Sequence, residues 1–195
     1  MPQVQADWVD QILVIDGGSV DGTAEYVILD KISEGFDMVI ASRYLGDAQS
    51  DDDDFVTAFG NWFFTRTVNL LYGGRYTDVM VIYRAYWKQL IFALDLDKDE
   101  SHQLPERLFA TRISWEPLLS VRAVKAGLQI AEVPGPEPVR IGGGRKLRVA
   151  RWGAAYYFQF LREWLFWNKS IERTWGPAIR RPEERSTQDQ QRRCA

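Results

Sequence analysis

The sequence predicts an α/β layered fold with a mostly parallel sheet flanked by helices. Three observations predict it. Short apolar runs of strand length, Ile12–Ile15, Asp37–Ala41 and Leu128–Val133, are separated by segments with apolar residues at helical spacing. The first run ends in a glycine-rich turn, DGGSVDGT over Asp16–Thr23, at the kind of strand end where an α/β sheet meets its ligand. The chain has 195 residues, 46% of them hydrophobic, enough for one core and too few for two.

Each element follows in order. Ile12–Ile15 reads as a buried strand, and Thr23–Ile32 as a helix after the turn. Asp37–Ala41 is a second buried strand. Ser42–Phe55 is a polar loop that holds the run Asp51–Asp54. Ala58–Tyr72 has helical periodicity and stops at Gly73-Gly74. Tyr76–Tyr83 reads as extended, and Arg84–Leu94 as helix. Asp95–Glu100 is a charged loop. Ser114-Trp115-Glu116-Pro117 starts a helix, with serine as cap and proline in the first turn; it runs to about Ala126 and ends at Gly127. Leu128–Val133 is a strand. Pro134–Pro138 is a rigid loop, Gly142–Gly144 a flexible one, and Leu147–Trp167 an aromatic-rich helix. Residues 1–169 form the predicted domain, and residues 170–195 a polar tail expected to be disordered.

Composition narrows the function classes. The single cysteine, Cys194, excludes a disulfide scaffold and suits a reducing compartment. No apolar run approaches the length of a membrane span, and no signal peptide is seen. A cytoplasmic location follows as the expectation, at the inner face of the membrane if lipid is involved. The net charge of −3 is uneven: residues 140–195 carry 13 Lys/Arg and 5 Asp/Glu, whereas residues 1–139 carry 11 and 22. A basic C-terminal part on an acidic body suits phosphates or an anionic surface; a solvated basic tail is the alternative. No nucleic-acid partner is expected.

The opening turn fits neither a dinucleotide fingerprint nor a triphosphate loop, since it lacks the G-x-G-x-x-G order and the P-loop lysine. A strand-terminal carboxylate, Asp16, followed by Gly17 and Gly18, suits a base N–H or ribose hydroxyls, with Asp21 bracing the turn or capping the next helix. A ligand-free Asx-type turn is the alternative.

Taken with five further segments in the same order, this turn resembles the nucleotide-sugar-binding turn of family 2 glycosyltransferases. The segments are GFDMVIASRYL (Gly35–Leu45), Gly60-Asn61 at the start of a helix, Thr77-Asp78 followed by Tyr83-Arg84-Ala85, Trp115-Glu116 with Ala131-Glu132-Val133-Pro134, and Arg140 with Gly144-Arg145-Lys146-Leu147. They span about residues 12–165. The resemblance, which extends to polyprenyl-phosphate sugar synthases and bacterial cell-surface sugar transferases, implies a GT-A-like (Rossmann-like) fold. It implies a nucleotide diphospho-sugar donor and a lipid-phosphate or polysaccharide acceptor. It also implies a divalent cation, Mg²⁺ or Mn²⁺, held by a D-x-D strand end.

In that setting Arg43, Arg140, Arg145 and Lys146 are the candidates for the donor's phosphates, because a guanidinium fork matches phosphate and a glycine-rich loop can close over it. A surface ion pair at Arg43 and a solvated patch on the loop are the alternatives. Asp78 and Glu116 are the candidates to orient or deprotonate an attacking hydroxyl, or else are structural. His102, the only histidine, is read as a bystander in a charged loop. Leu147–Trp167, with Arg148, Arg151 and Arg162, reads as an interfacial membrane helix or as a core helix with exposed arginines.

Two departures from the family stand out. The expected fold is truncated, without the family's first strand–helix unit. Tyr26–Glu34 joins the first turn directly to the second strand, where the family carries the D-x-D segment. Gly17 stands where many relatives have a second aspartate. Asp95-Leu96-Asp97 spells D-x-D out of order, and Asp51–Asp54 is an acidic run; both read better as solvated loops than as metal sites. A catalytically inactive, truncated binding or assembly module at a membrane surface is therefore the competing expectation.

Overall fold

The computed structural model describes residues 23–48, 55–98, 100–137, 149–171 and 175. The strand at 12–15, the Asp16–Asp21 turn, the Asp51–Asp54 run and the loop holding Arg140, Arg145 and Lys146 lie outside the described residues.

Helix α1 (Thr23–Ser33) leads into strand β1 (Met38–Ser42). Then come α2 (Phe55–Tyr72), β2 (Arg84–Tyr86), α3 (Gln89–Ala93), α4 (Glu100–Phe109), α5 (Glu116–Lys125), β3 (Ile130–Pro134) and α6 (Val149–Phe166). The class is α/β. The sheet among the described residues is mixed, not mostly parallel: its order is β2-β1-β3, with β1 antiparallel to β2 and parallel to β3.

β1 is the centre, and all five of its residues are buried. A strand covered on both faces must be apolar throughout, which is why MVIAS shows no polar alternation. Its two faces enter different clusters, as the two-residue period requires. Val39 and Ala41 pack with Ile28 and Ile32 of α1 and Val133 of β3. Met38 and Ile40 pack with Phe64 and Val68 of α2, Leu118 and Leu119 of α5, and Tyr156 and Phe160 of α6. Among the described residues the sheet thus separates α1 from α2, α3, α5 and α6, with α4 packed on α6.

Several elements depart from the sequence reading. Tyr76–Tyr83 forms no strand. Arg84–Tyr86 is strand, not helix, because it pairs with β1 at Ile40, Val39 and Met38. Ser114 does not cap α5; its N–H and hydroxyl both bond the Tyr156 hydroxyl, at 2.6 and 2.7 Å, and Trp115 holds the cap position. Gly60-Asn61 lies inside α2, which begins at Phe55. His102 sits on α4, not in a loop.

Gly127 ends α5 as read, at φ 71°. Trp175, from the stretch read as polar tail, is buried and donates its Nε1–H to Asp37 Oδ1 at 2.9 Å. Among the described residues no helix is long and apolar enough to cross a membrane.

Candidate functional site

The parallel strands β1 and β3 end side by side, Ser42 opposite Pro134. A side chain on Gly135 would strike Ala41, its Cβ lying 2.5 Å from Ala41 Cβ. Glycine alone permits that approach, and it lets the Gly135 N–H donate to the Ser42 carbonyl at 2.9 Å. The chain leaving β3 is thereby held against the end of β1, one residue before Arg43.

Arg43 and Asp78 form a two-point pair. Arg43 Nε donates to Asp78 Oδ2 at 2.6 Å and Nη2 to Oδ1 at 3.0 Å. The Arg43 backbone N–H adds a third contact, at 3.3 Å. Arg43 Nη1 reaches Glu137 Oε2 at 3.0 Å. Asp78 is wholly buried, whereas the Glu137 side chain is 39% exposed, so the cluster runs from the core to the surface.

Glu132, on β3, fixes the segment that carries Asp78. Its carboxylate accepts from the Thr77 N–H at 2.9 and 3.0 Å, from the Thr77 hydroxyl at 2.8 Å and from the Asp78 N–H at 3.3 Å. The Thr77 and Ser42 hydroxyls lie 2.5 Å apart. Burial pushes the Glu132 carboxyl up; the hydrogen bonds from Thr77 and Asp78 pull it down, the Asp78 charge pushes it up again, and the net direction is up.

The other candidate carboxylate, Glu116, begins α5. Its side-chain Oε2 is buried and has no hydrogen-bond partner among the described residues. Its backbone carbonyl accepts from Arg84 Nη1 at 3.0 Å. Arg84 is buried. Desolvation lowers its pKa, opposed by Tyr76, Glu116, Asp78 and Tyr86, so this guanidinium lies within electrostatic reach of both candidate carboxylates. It also donates to the Ser120 hydroxyl at 2.8 Å and to the Val81 carbonyl.

The structure therefore joins Arg43 to Asp78 and links Glu116 to Arg84 through the Glu116 carbonyl. Sequence reasoning singled out neither Glu132 nor Glu137 as a site residue. The signal for Glu132 was present: a carboxylate inside an apolar strand-length run must find donors there.

The arrangement suits hydroxyl donors better than phosphate. Two carboxylates, Asp78 and Glu137, engage the Arg43 guanidinium, a third, Glu132, holds the backbone beside Asp78, and a diphosphate needs further cations. In sequence, Arg140, Arg145 and Lys146 follow Glu137 closely.

The implied divalent cation finds no fitting ligand set here. Among the described residues no three His, Cys, Asp or Glu are grouped to hold a metal. Asp95 is engaged by Lys98 at 2.8 Å and Lys169 at 3.0 Å. Burial raises its pKa, but those two ammonium groups bring it below the usual range, so Asp95–Asp97 reads as a charged loop. An open cavity of about 400 Å³ lies elsewhere, lined by Gln103, Glu106, Arg107, Ala110, Thr111 and Arg112. None of the candidate residues lines it.

No known protein family, curated protein or solved structure matches the chain.

Proposed function

We propose that this chain is a GT-A-like domain that binds a nucleotide diphospho-sugar and transfers its sugar to a lipid-linked or cell-surface polysaccharide acceptor. One observation carries the reading. Ser42-Arg43, Thr77-Asp78 and Glu132, from three motifs far apart in sequence, form one hydrogen-bonded cluster at the carboxyl ends of β1 and β3. That edge is where α/β sheets take ligands. Helix α1 supports it: 11 residues at about 1.5 Å each match the rise of β1, so α1 begins at the same edge, and Asp16–Gly22 immediately precede it in sequence.

In this reading Asp16 and the Gly17-Gly18 turn, braced by Asp21, take the nucleoside, and Arg140, Arg145 and Lys146 take the phosphates. Asp78 holds Arg43 in place. Glu116, whose Oε2 has no hydrogen-bond partner among the described residues, is the carboxylate suited to accept a hydroxyl proton.

A second reading is favoured by a specific feature. Arg43 and Asp78 satisfy each other, and no D-x-D segment lies between α1 and β1. A module that binds a donor without transferring it fits these facts. Calorimetric titration with nucleotide diphospho-sugars, with and without Mn²⁺, tests both. Binding, with release of nucleoside diphosphate once a polyprenyl phosphate is added to accept the sugar, supports transfer. Binding without release supports the second reading, and no binding to any donor sinks both. Asp16→Ala should abolish the binding.

A further inference from the structure

Helix α2 is apolar on two faces, yet only one of them is covered. Phe64, Thr65 and Val68 are buried against the core. On the other side Phe55 is 84% exposed, Val56 57%, Phe59 55%, Trp62 54%, Phe63 41% and Leu70 84%. At about 100° per residue these six positions fall in one stripe roughly 120° wide. The stripe is continuous: Phe59 lies 6.5 Å from Phe55, 5.8 Å from Trp62 and 6.5 Å from Phe63, ring centre to ring centre. Phe63 stacks on Tyr157 of α6 at 5.3 Å, which carries the surface onto a second helix. A helix apolar on both faces is normally covered on both, and none of the described residues covers this one.

Charge indicates what covers it. Arg66 projects within the same stripe and is exposed. Helix α2 contains no acidic residue at all. Helix α6 adds exposed Arg151; its one acid, Glu163, is buried and paired with Arg122 at 2.8 Å. Hence the exposed charges on these two helices are cationic. A second copy of the same face would bring another Arg66 and no carboxylate, burying like charges at a cost. An anionic lipid surface meets both demands: the rings enter the acyl boundary while the guanidinium reaches a headgroup phosphate.

We propose that the α2 stripe, flanked by α6, docks on an anionic phospholipid surface with α2 lying flat in the interface. Leaflet charge adds to the burial of the rings. The four aspartates at 51–54, immediately before Phe55, oppose the attraction; the excess of cations over residues 140–195 favours it. The proposal does not depend on sugar transfer. It adds α2 to α6 as a membrane-facing element; on α6 Tyr156 and Phe160 are fully buried, whereas Trp164, Leu165 and Phe166 are exposed.

Flotation of the full chain with vesicles of phosphatidylcholine alone, or with phosphatidylglycerol added, tests it. Binding should require phosphatidylglycerol and weaken with salt. The double variant Phe59→Ser/Trp62→Ser, both positions exposed, should keep its far-UV circular dichroism and bind roughly tenfold or more weakly. Arg66→Glu should weaken binding several-fold to anionic vesicles alone. Binding to neither vesicle, or binding that the double variant leaves unchanged, would overturn the proposal. So would self-association, by sedimentation equilibrium, that the double variant abolishes in a chain that does not float; that result would give the face to a second copy.

Discussion

Among the described residues three arginines are buried, Arg43, Arg84 and Arg122, and the first and last of them are partnered in different ways. Arg122 lies in the helical layer and is closed on every side. Its Nε pairs with Glu163 at 2.8 Å, Nη1 takes the Leu94 and Asp95 carbonyls at 2.7 and 2.9 Å, and Nη2 takes the Ser101 hydroxyl at 2.8 Å. Trp167 covers the guanidinium face at 5.2 Å.

The neighbouring backbone is closed as well. Pro105 cannot donate to the Ser101 carbonyl four residues back, and Gln159 Nε2 donates there instead, at 3.1 Å. Lys125 caps the end of α6 through the Glu163 and Trp164 carbonyls, at 2.8 and 2.9 Å. Arg43, by contrast, is anchored at one end by a buried carboxylate and at the other by an exposed one. The first centre ties α3, α4, α5 and α6 together. The second stands at a strand end with one side toward solvent, as a binding centre must. Burial of charge alone does not mark a site; what distinguishes the two is whether the last partner can be exchanged.

The largest predicted effect breaks the closed centre. Glu163→Ala leaves Arg122 buried without its charge partner and should cost about 3–5 kcal/mol by urea unfolding. Replacing both residues by apolar ones of similar volume should restore most of that loss. Asp78→Ala should cost less, about 1–3 kcal/mol, because Arg43 keeps Glu137 and a path to water. Equal losses at the two positions would erase the contrast.

Glu132→Gln sharpens the second centre. The raised carboxyl of Glu132 means that the native state holds this proton more tightly than the unfolded chain. Its contribution to stability is therefore full at low pH and falls as pH rises through the native pKa, above the ordinary carboxylate value. The variant should lose that slope in unfolding curves taken across the acidic range. Glu137→Gln removes the exchangeable partner of Arg43 and should tighten nucleotide diphospho-sugar binding several-fold with little change in stability. The smallest effect belongs to Lys169→Met: its pair with Asp95 is partly exposed, and the loss should stay below about 1 kcal/mol.

The sequence made some of this legible and hid the rest for physical reasons. β1 was readable because a strand buried on both faces needs an uninterrupted apolar run. The end of α5 was readable because Gly127 adopts a left-handed turn. β2 was not, since three residues of RAY carry no period and their strand state comes from pairing with β1. Helix α4 was hidden by its polarity and by Pro105, whose lost hydrogen bond is offset from another helix. Asp78, Glu116 and Arg43 were legible as charged residues at element ends. Their partners were not, because the Arg43–Asp78 and Arg122–Glu163 pairs span 35 and 41 positions. The only local hint of Arg122 was a cation on the apolar side of LLSVRAVK.

Hydrogen–deuterium exchange of the full chain with and without a nucleotide diphospho-sugar tests the contrast most directly. Ligand should slow exchange at 42–44, 77–78 and 132–137 and leave 101, 122 and 163 unchanged. Slowing at the helical centre alone, or at neither, would contradict the assignment of the Arg43–Asp78–Glu132 cluster as the ligand-facing centre.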